Sequence, residues 1–169
     1  ALLASQNLPT DYIDVPFTPF LIVAGGRKIL LDTGLGEFGG PTTGKLLEHL
    51  HAAGVQPSEI DTVVISHYHG DHINGLRNKA GDYVFAKAKV MVPTTEHAFW
   101  MDDARMAAAP QGMKGAFENV RRTFASMPQG MLVPFEPGAE VAPGIQSIAA
   151  YGHTPGHTLF HLQSAGQHV

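Results

Sequence analysis

Cysteine is missing from this chain of 169 residues, and its absence excludes two kinds of chemistry. Without thiols the chain cannot form disulfides, and a metal site within it cannot use thiolate ligands. A site for a transition metal must therefore be built from histidine and carboxylate side chains. The chain has 10 histidines and 15 acidic residues from which to build one.

An excess of positive charge and a long apolar run are also missing. The formal net charge is −4 at pH 7, so the chain lacks the basic surface typical of nucleic-acid binding, and we expect no nucleic-acid partner. No uninterrupted run of about 18 apolar residues occurs, which predicts no transmembrane helix and no membrane partner. Residues 1–4 are too few, and lack the basic start, for a signal peptide, so the sequence assigns no compartment.

Three histidines and one aspartate stand within six consecutive residues, from His67 to His72. The preceding Thr62–Ser66 is apolar and β-branched, which predicts a buried strand, so the polar cluster comes where that strand ends. His67 and His69 point to the same side in extended backbone and can bind one metal ion. Asp71 and His72 lie past the next turn and can face a second ion. Nitrogen and carboxylate ligands together suit zinc better than magnesium or calcium.

A third ligand is predicted in Gly152–His157, because catalytic zinc sites usually have three protein ligands. This stretch lies between two predicted strands, Gly144–Tyr151 and Thr158–Leu162, and its Pro-Gly pair favours a turn. His153 comes just before that turn, from where it can reach the first two histidines.

These motifs together resemble those of the metallo-β-lactamase-fold hydrolases. The pattern H-x-H-x-D-H, the later G-H-T-P-G-H and the early Asp32-Thr33-Gly34 occur in the order expected for that superfamily. The resemblance implies a layered α/β (α+β) domain of the αββα sandwich type with two zinc ions per complete domain, other divalent metals being compatible. It implies that His67, His69 and His153 hold the first metal and that Asp71 and His72 hold the second. It gives His157 a hydrogen-bonding or turn role beside the ligands.

Within the superfamily the chain most resembles the methyl parathion hydrolase-like branch, in the weaker stretches Phe38–Gly44, Ala52–Pro57, Asp71–Leu76 and Ala98–Trp100. That likeness implies a zinc-activated hydroxide that attacks an ester, lactone or phosphotriester in a small-molecule substrate. Asp71 is the expected catalytic residue, which orients the nucleophile or passes a proton. β-Lactam hydrolysis, thioester hydrolysis of the glyoxalase II kind and iron-dependent sulfur dioxygenation stay open as alternatives on the same fold.

The family pattern continues past this sequence, to a metal-bridging aspartate and one more histidine. We therefore expect residues 1–169 to be a single domain that is incomplete at its C-terminus, a piece of a longer protein cut at both ends. Half of the second-metal site would then be missing, so the piece alone could be non-catalytic. Its exposed sheet edge favours aggregation or pairing, which would include a homodimer.

Two other motifs have less support. Gly34–Gly39 fits G-x-G-x-x-G, but Gly40 and Pro41 follow it and delay the helix that dinucleotide binding needs within the motif. Asp32-Thr33-Gly34 also resembles the active-site triplet of aspartic proteases, which need a second carboxylate, and the chain has no second such triplet. The metallohydrolase interpretation gives Asp32 another role, that of orienting a ligand histidine.

Hydrophobic periodicity predicts the remaining elements. Strands are expected at Ile13–Val23, Arg27–Leu31, Lys89–Val92 and Met131–Phe135. Helices are expected at Thr43–Ala53, with Leu46, Leu47 and Leu50 on one face, from the cap Thr94 through Trp100, and at Met113–Ser126. This order indicates sheets inside and helices outside. We expect Trp100 in either the substrate pocket or the core, and Phe38, Phe99 and Phe117 in the core.

Overall fold

The chain folds into two sheets with helices on one side. The computed structural model describes residues 2–169. The first sheet has the strand order β1 (Phe20–Ala24), β2 (Arg27–Leu31), β3 (Thr62–Val64), β4 (Lys89–Pro93) and β5 (Leu132–Phe135). The second has the order β6 (Glu140–Ala142), β7 (Ile145–Ala149), β8 (Thr158–Ser164) and β9 (Gln167–His168).

The helices are short apart from one. They are α1 (Leu2–Ser5), α2 (Leu46–Ala52), α3 (Gly70–Ile73), α4 (Thr94–Trp100), α5 (Asp103–Ala108) and α6 (Gln111–Phe124). Single 3₁₀ turns occur at Gly36–Phe38, Pro57–Glu59 and Asn74–Leu76. Over residues 2–169, no helix combines the length and the apolar character that crossing a membrane would require.

Because most strands of the first sheet are parallel, the loops that follow them lie at the same edge of the sheet. Strand β1 pairs antiparallel with β2, whereas β2, β3, β4 and β5 run parallel to one another. The register aligns Leu31 with Val64 and Val64 with Met91, so β2, β3 and β4 end side by side. Loops that follow parallel strands meet at the carboxyl edge of a sheet, where α/β proteins commonly build their sites.

The two faces of the first sheet bury two separate apolar clusters. Leu30, Val63 and Val90 face the helices and pack with residues of α2, α3, α4 and α6. Ile29, Leu31 and Val64 point the other way and pack against Val141, Ala142 and Ile145 of the second sheet. The alternation along β2 and β3 follows from the two-residue period of a strand. A helix layer, a sheet and a second sheet therefore stack in that order, which confirms the layered α/β architecture and gives three of the four layers of the expected αββα sandwich.

Most of the predicted strands and helices are present, but several begin or end at residues other than those predicted. The predicted strand Ile13–Val23 is paired only from Phe20, because Pro16 and Pro19 have no N–H to donate to a neighbouring strand. Helix α2 begins at Leu46 rather than Thr43, since Gly44 has a φ of +74°. Its Leu47 side chain is 40% exposed, so it does not share the buried face of Leu50.

Thr94 begins α4 but does not cap it. Its hydroxyl donates to the carbonyl of Phe135 at 3.0 Å, and Pro93 occupies the cap position without a side-chain bond. Strand β6 and helix α5 were not predicted. Helix α5 has a local start signal nonetheless, because the carboxylate of Asp102 accepts from the N–H of Arg105 at 3.0 Å.

Gly75 marks a close approach of two backbones beneath the carboxyl edge. Its N–H donates to the carbonyl of Gly34 at 3.0 Å, and the N–H of Thr33 donates to the carbonyl of His72 at 2.8 Å. A Cβ at position 75 would collide with the backbone of Thr33. The loop after β2 and helix α3 can therefore pack this closely only because residue 75 has no side chain.

We predict opposite effects for alanine at two glycines. Gly75→Ala should lower the free energy of unfolding by about 1–3 kcal/mol, because the methyl group forces the two backbones apart. Gly115→Ala should raise it by about 0.5–1 kcal/mol, since alanine favours the helical backbone there. Gly115 lies on the exposed side of α6, and a Cβ there meets nothing within 4 Å. Chemical denaturation measures both; a Gly75→Ala protein as stable as wild type would contradict the packing described.

Candidate metal centre

The candidate centre lies at the carboxyl edge of the first sheet, where β3 is followed by a loop with His67 and His69 and then by α3, which carries His72. His69 is extended, with φ −69° and ψ 151°, and precedes the first turn of α3. The extended backbone around it keeps His67 and His69 on one side, as predicted from the strand period. The fourth histidine, His153, comes from the turn between β7 and β8 in the second sheet.

Three of the predicted ligands come together in the folded chain. The side chains of His67, His69 and His153 each offer a ring nitrogen, and these nitrogens lie within 4.8 Å of one another. His69 Nδ1 and His153 Nε2 are 3.0 Å apart. Two nitrogens bound to one zinc ion at about 2.1 Å and a tetrahedral angle are about 3.4 Å apart, so this pair is close to a ligating separation.

His67 provides the observation that tests whether the cluster fits a metal. Its side chain is only 2% exposed, and its Nε2 atom has no hydrogen-bond partner within residues 2–169. Buried polar atoms are nearly always satisfied, so such an atom needs an explanation. A metal ion placed among the three rings would provide the missing partner, and the residues therefore fit one.

The electrostatics keep His67 in the form that can ligate. Burial, followed by the four neighbouring histidines, lowers the pKa of His67 to about 2. Burial and His153 also lower the pKa of His69, against smaller opposing effects of Asp71 and Glu96. Both rings are therefore neutral near pH 7, and a neutral imidazole has the lone pair that a metal requires.

Asp71 and His72 form a second group beside the three histidines. His72 Nε2 lies 3.2 Å from Asp71 Oδ2, and the His72 ring centroid lies 3.9 Å from that of His67. The opposite nitrogen of His72, Nδ1, lies 2.7 Å from Asp32 Oδ2. Burial alone would lower the pKa of His72, but the hydrogen bond and charge of Asp32, with the charge of Asp71, raise it overall.

Asp32 occupies the position that the sequence interpretation gave it. Its backbone is left-handed, with φ +57°, which is unusual for a residue with a side chain. The carboxylate accepts from the backbone N–H of Ser66 at 2.8 Å and from its hydroxyl at 2.7 Å, in addition to its contact with His72. Asp32 therefore joins the end of β2 to both His72 and the strand end that carries His67. That His72 and Asp71 bind metal stays a prediction.

His157 lies next to the cluster and outside the three-histidine group. Its ring centroid is 4.8 Å from that of His67, and its Nδ1 atom is buried without a hydrogen-bond partner in the described part of the chain. Burial and the neighbouring His153 lower its pKa. A hydrogen-bonding or turn role of His157 beside the ligands stays a prediction.

Sequence reasoning missed one residue of this centre, Glu96 in the first turn of α4. Its side chain is fully buried, and it bonds to both loops that carry the predicted ligands. The only signal in the sequence was its position four residues before Trp100, which places both side chains on one face of the helix. Trp100 is 3% exposed and belongs to the core, as Phe117 does.

With this geometry in place, comparison with known proteins identifies the family. Residues 18–169 match the family model of the metallo-beta-lactamase superfamily. The chain belongs to this superfamily.

The alternative of dinucleotide binding is not supported by the structure. The loop Gly36–Phe38 is a single 3₁₀ turn, and the next helix begins only at Leu46, so no helix lies where a dinucleotide-binding motif would need one.

Three solved structures show the likeness. The hydrolase AbOPH of the beta lactamase superfamily is 30% identical with a TM-score of 0.81, over 89% of this chain and 53% of that chain. AidC, a dizinc quorum-quenching lactonase solved with the product N-hexnoyl-L-homoserine, is 27% identical with a TM-score of 0.88, over 99% and 59% of the two chains. A probable metal-dependent hydrolase from Staphylococcus aureus is 26% identical with a TM-score of 0.72, over 89% of this chain and 55% of that chain.

A curated relative shares a shorter stretch. A ribonuclease of Thermus thermophilus is 38% identical over 64 residues, which are 37% of this chain and 14% of that enzyme. The chain thus spans a little over half the length of the solved relatives and a small part of the ribonuclease. The solved relatives named above are a hydrolase, a lactonase and a probable metal-dependent hydrolase, and the curated relative is a ribonuclease.

The lowered pKa of His67 predicts acid sensitivity of the metal-free protein. The unfolded chain takes up a proton near the ordinary pKa of 6.5, whereas folded His67 does so only near pH 2. Between these values the unfolded state binds more protons, so stability is full above pH 6.5 and falls as the pH drops. Going from about pH 7.5 to about pH 5.5 should cost about 1.4 kcal/mol from His67 alone.

Chemical denaturation of the metal-free full-length protein at the two pH values measures this loss. The variant His67→Gln has no group to titrate at position 67, so its loss of stability should be smaller by about 1.4 kcal/mol. The raised pKa of His72 acts in the opposite direction, but it is present in both proteins and cancels from the difference. An equal fall in both proteins would contradict the buried, neutral state of His67.

Proposed function

We propose that this chain carries the metal-ligating part of a zinc-dependent hydrolase that cleaves an ester or lactone bond in a small molecule. The observation that carries the proposal is the cluster of His67, His69 and His153 around the unsatisfied buried Nε2 atom of His67. In the proposed centre these three residues hold the first metal, and Asp71 and His72 supply ligands to a second. Asp32 holds His72 in place from the other side of its ring.

The chemistry divides between the metal and the protein. A divalent metal held by these residues would provide Lewis acidity and would lower the pKa of a water molecule toward 7. The protein keeps the His67 and His69 rings neutral and excludes water from the His67 side. In this proposal Asp71, which is partly exposed beside His72, orients the nucleophile or accepts its proton.

Two cavities support a small substrate with an apolar group. A cavity of about 140 Å³ is lined by the segment Val15–Pro19 together with Asp32, Asp71 and His72. The same segment also lines a larger cavity of about 650 Å³, whose walls include Leu21, Leu35, Leu46 and Leu50. The larger cavity touches none of the proposed ligands. We propose that the reacting bond lies in the small cavity and that the large one takes an apolar substituent.

The choice of an ester or lactone over the alternatives rests on likeness and on charge. AidC, which matches nearly all of this chain, is a lactonase. The sequence likeness to the methyl parathion hydrolase-like branch favours a phosphotriester as the second candidate. The ribonuclease match is short, and a net charge of −4 does not favour a nucleic-acid substrate.

Removing the third ligand should empty the first metal site. In the full-length protein, His153→Ala leaves two imidazoles at that site, so we expect the zinc content to fall by about one equivalent per chain after dialysis. His51→Ala is the matched control, because His51 is exposed on α2 and lies outside the cluster. Elemental analysis measures both variants. Full zinc retention in His153→Ala would refute the proposed ligand set.

A substrate panel separates the two candidate reactions. We expect the zinc-loaded full-length protein to turn over acyl lactones and aryl esters, with kcat/KM rising as the apolar substituent grows into the large cavity. Phosphotriester, β-lactam and thioester substrates are assayed beside them under the same metal loading. Phosphotriester turnover that exceeds lactone turnover would favour the second candidate, and activity confined to β-lactams or thioesters would overturn the proposal.

A further inference from the structure

Glu96 is a fully buried carboxylate surrounded by N–H donors. Its side chain is 0% exposed, although it lies in the first turn of a helix at the carboxyl edge of the first sheet. Oε1 accepts from the backbone N–H of Tyr68 at 2.9 Å and from the indole N–H of Trp100 at 2.8 Å. Oε2 accepts from the backbone N–H of Gly156 at 2.7 Å. Hydrogen bonds to an ionised acceptor are among the stronger ones in proteins.

Two of these donors belong to the two loops that carry the proposed first-metal ligands. Tyr68 stands between His67 and His69 in the chain, and Gly156 stands in the turn between His153 and His157. These loops are far apart in sequence and come from different sheets. Each carboxylate oxygen of Glu96 therefore holds one of the loops, so one side chain bridges the two.

The turn at Gly156 packs directly against the start of α4. A Cβ at position 156 would collide with the backbone N and Cα of Glu96. The Gly156 backbone is thus held at a short distance from the helix both by the hydrogen bond and by the lack of a side chain. A displacement of this turn would carry His153 with it, because only two residues separate them.

The charge of Glu96 also suits a site made of neutral ligands. Three neutral imidazoles bring no negative charge to a divalent cation. Within residues 2–169 the ion pairs do not include Glu96, so its charge is not neutralised by a basic side chain. Its field reaches the cluster, since it acts to raise the pKa of both His69 and His157 against the larger effect of burial.

We propose that Glu96 is a positioning residue of the metal centre, which fixes His153 against His67 and His69 by bonding one loop through each carboxylate oxygen. This inference rests on the proposed function, because it assumes that the three histidines bind a metal. A merely structural role would make Glu96 important for stability alone. A positioning role adds a specific effect on metal affinity and on ligand geometry.

The variant Glu96→Gln separates the two roles. Glutamine has nearly the same shape, but it keeps one acceptor oxygen and places an NH₂ donor where the other oxygen was. The remaining oxygen of the glutamine can accept a hydrogen bond from one loop. Its NH₂ group would face the backbone N–H of the other loop, and two donors cannot bond to each other. We expect zinc affinity at the first site to fall about 10–100-fold in the full-length protein, as is typical when support for a ligand is lost. We also expect a changed visible absorption of the cobalt(II)-loaded protein, which reports the ligand geometry.

Two control variants distinguish a positioning role of Glu96 from a structural one. Glu118→Gln makes the same chemical change at an exposed position on α6 and should alter neither affinity nor spectrum. Trp100→Phe removes the indole donor and some core packing, yet leaves the bonds of Glu96 to both loops. It should lower stability while zinc affinity and the cobalt spectrum stay as in wild type. If Trp100→Phe loses zinc as strongly as Glu96→Gln, the role of Glu96 is structural and the proposal is overturned.

Further outcomes distinguish failure of this inference from failure of the proposed function. Wild-type protein that binds no zinc would overturn both. Wild-type protein that binds zinc, with Glu96→Gln equal to it in affinity and spectrum, would overturn the positioning role alone. If Glu96→Gln does not fold, Gly156→Ala tests the same contact from the other side, and wild-type zinc affinity in that variant would overturn the proposal. Amide hydrogen exchange at Gly156 in metal-free protein should be faster in Glu96→Gln, which checks the contact without any metal.

Discussion

The parallel register of β2, β3 and β4 is the constraint on which the candidate centre depends. Because Leu31, Val64 and Met91 are aligned across these strands, the residues that follow them emerge side by side at one edge. Asp32 comes from the first strand, the His67 loop from the second and Glu96 from the helix after the third. A slip of one residue in any pair would reverse the faces of that strand and separate these groups. The two apolar clusters oppose such a slip, since each strand would then expose its buried residues.

Two carboxylates that are not proposed ligands hold the strand end that carries His67. The N–H of Ser66, on one side of His67, donates to Asp32, and the N–H of Tyr68, on the other side, donates to Glu96. The backbone is therefore held on both sides of His67, and the His67 ring has its own contact, from Nδ1 to the Ser66 hydroxyl oxygen at 3.0 Å. The left-handed backbone of Asp32 costs of order 1–2 kcal/mol, and three hydrogen-bond contacts from one carboxylate are enough to offset it.

Much of this centre could be predicted from sequence because its motifs are local. The spacing of His67 and His69 follows from the period of extended backbone, and the turn before β8 follows from Pro155 and Gly156. Residue Glu96 could not be found in that way, because its partners are 28 and 60 residues away and its burial depends on how α4 packs. The segment 13–19 was mistaken for strand because its side chains alternate, while its prolines remove the donors that pairing needs.

The two proposed metal sites differ in the charge that the protein gives them. In the first, burial and the neighbouring histidines suppress the protonation of His67 and His69, so these rings offer lone pairs to a cation but no negative charge. Glu96 provides that charge without ligating, and it does so from the protein interior. The second site brings its own carboxylate, Asp71, and a histidine whose proton is favoured by Asp32. A site of imidazoles built on the buried His67, beside a site that includes a carboxylate, gives the two ions different surroundings. The carboxylate side of the centre, at Asp71 and His72, lines the small cavity where we place the reacting bond.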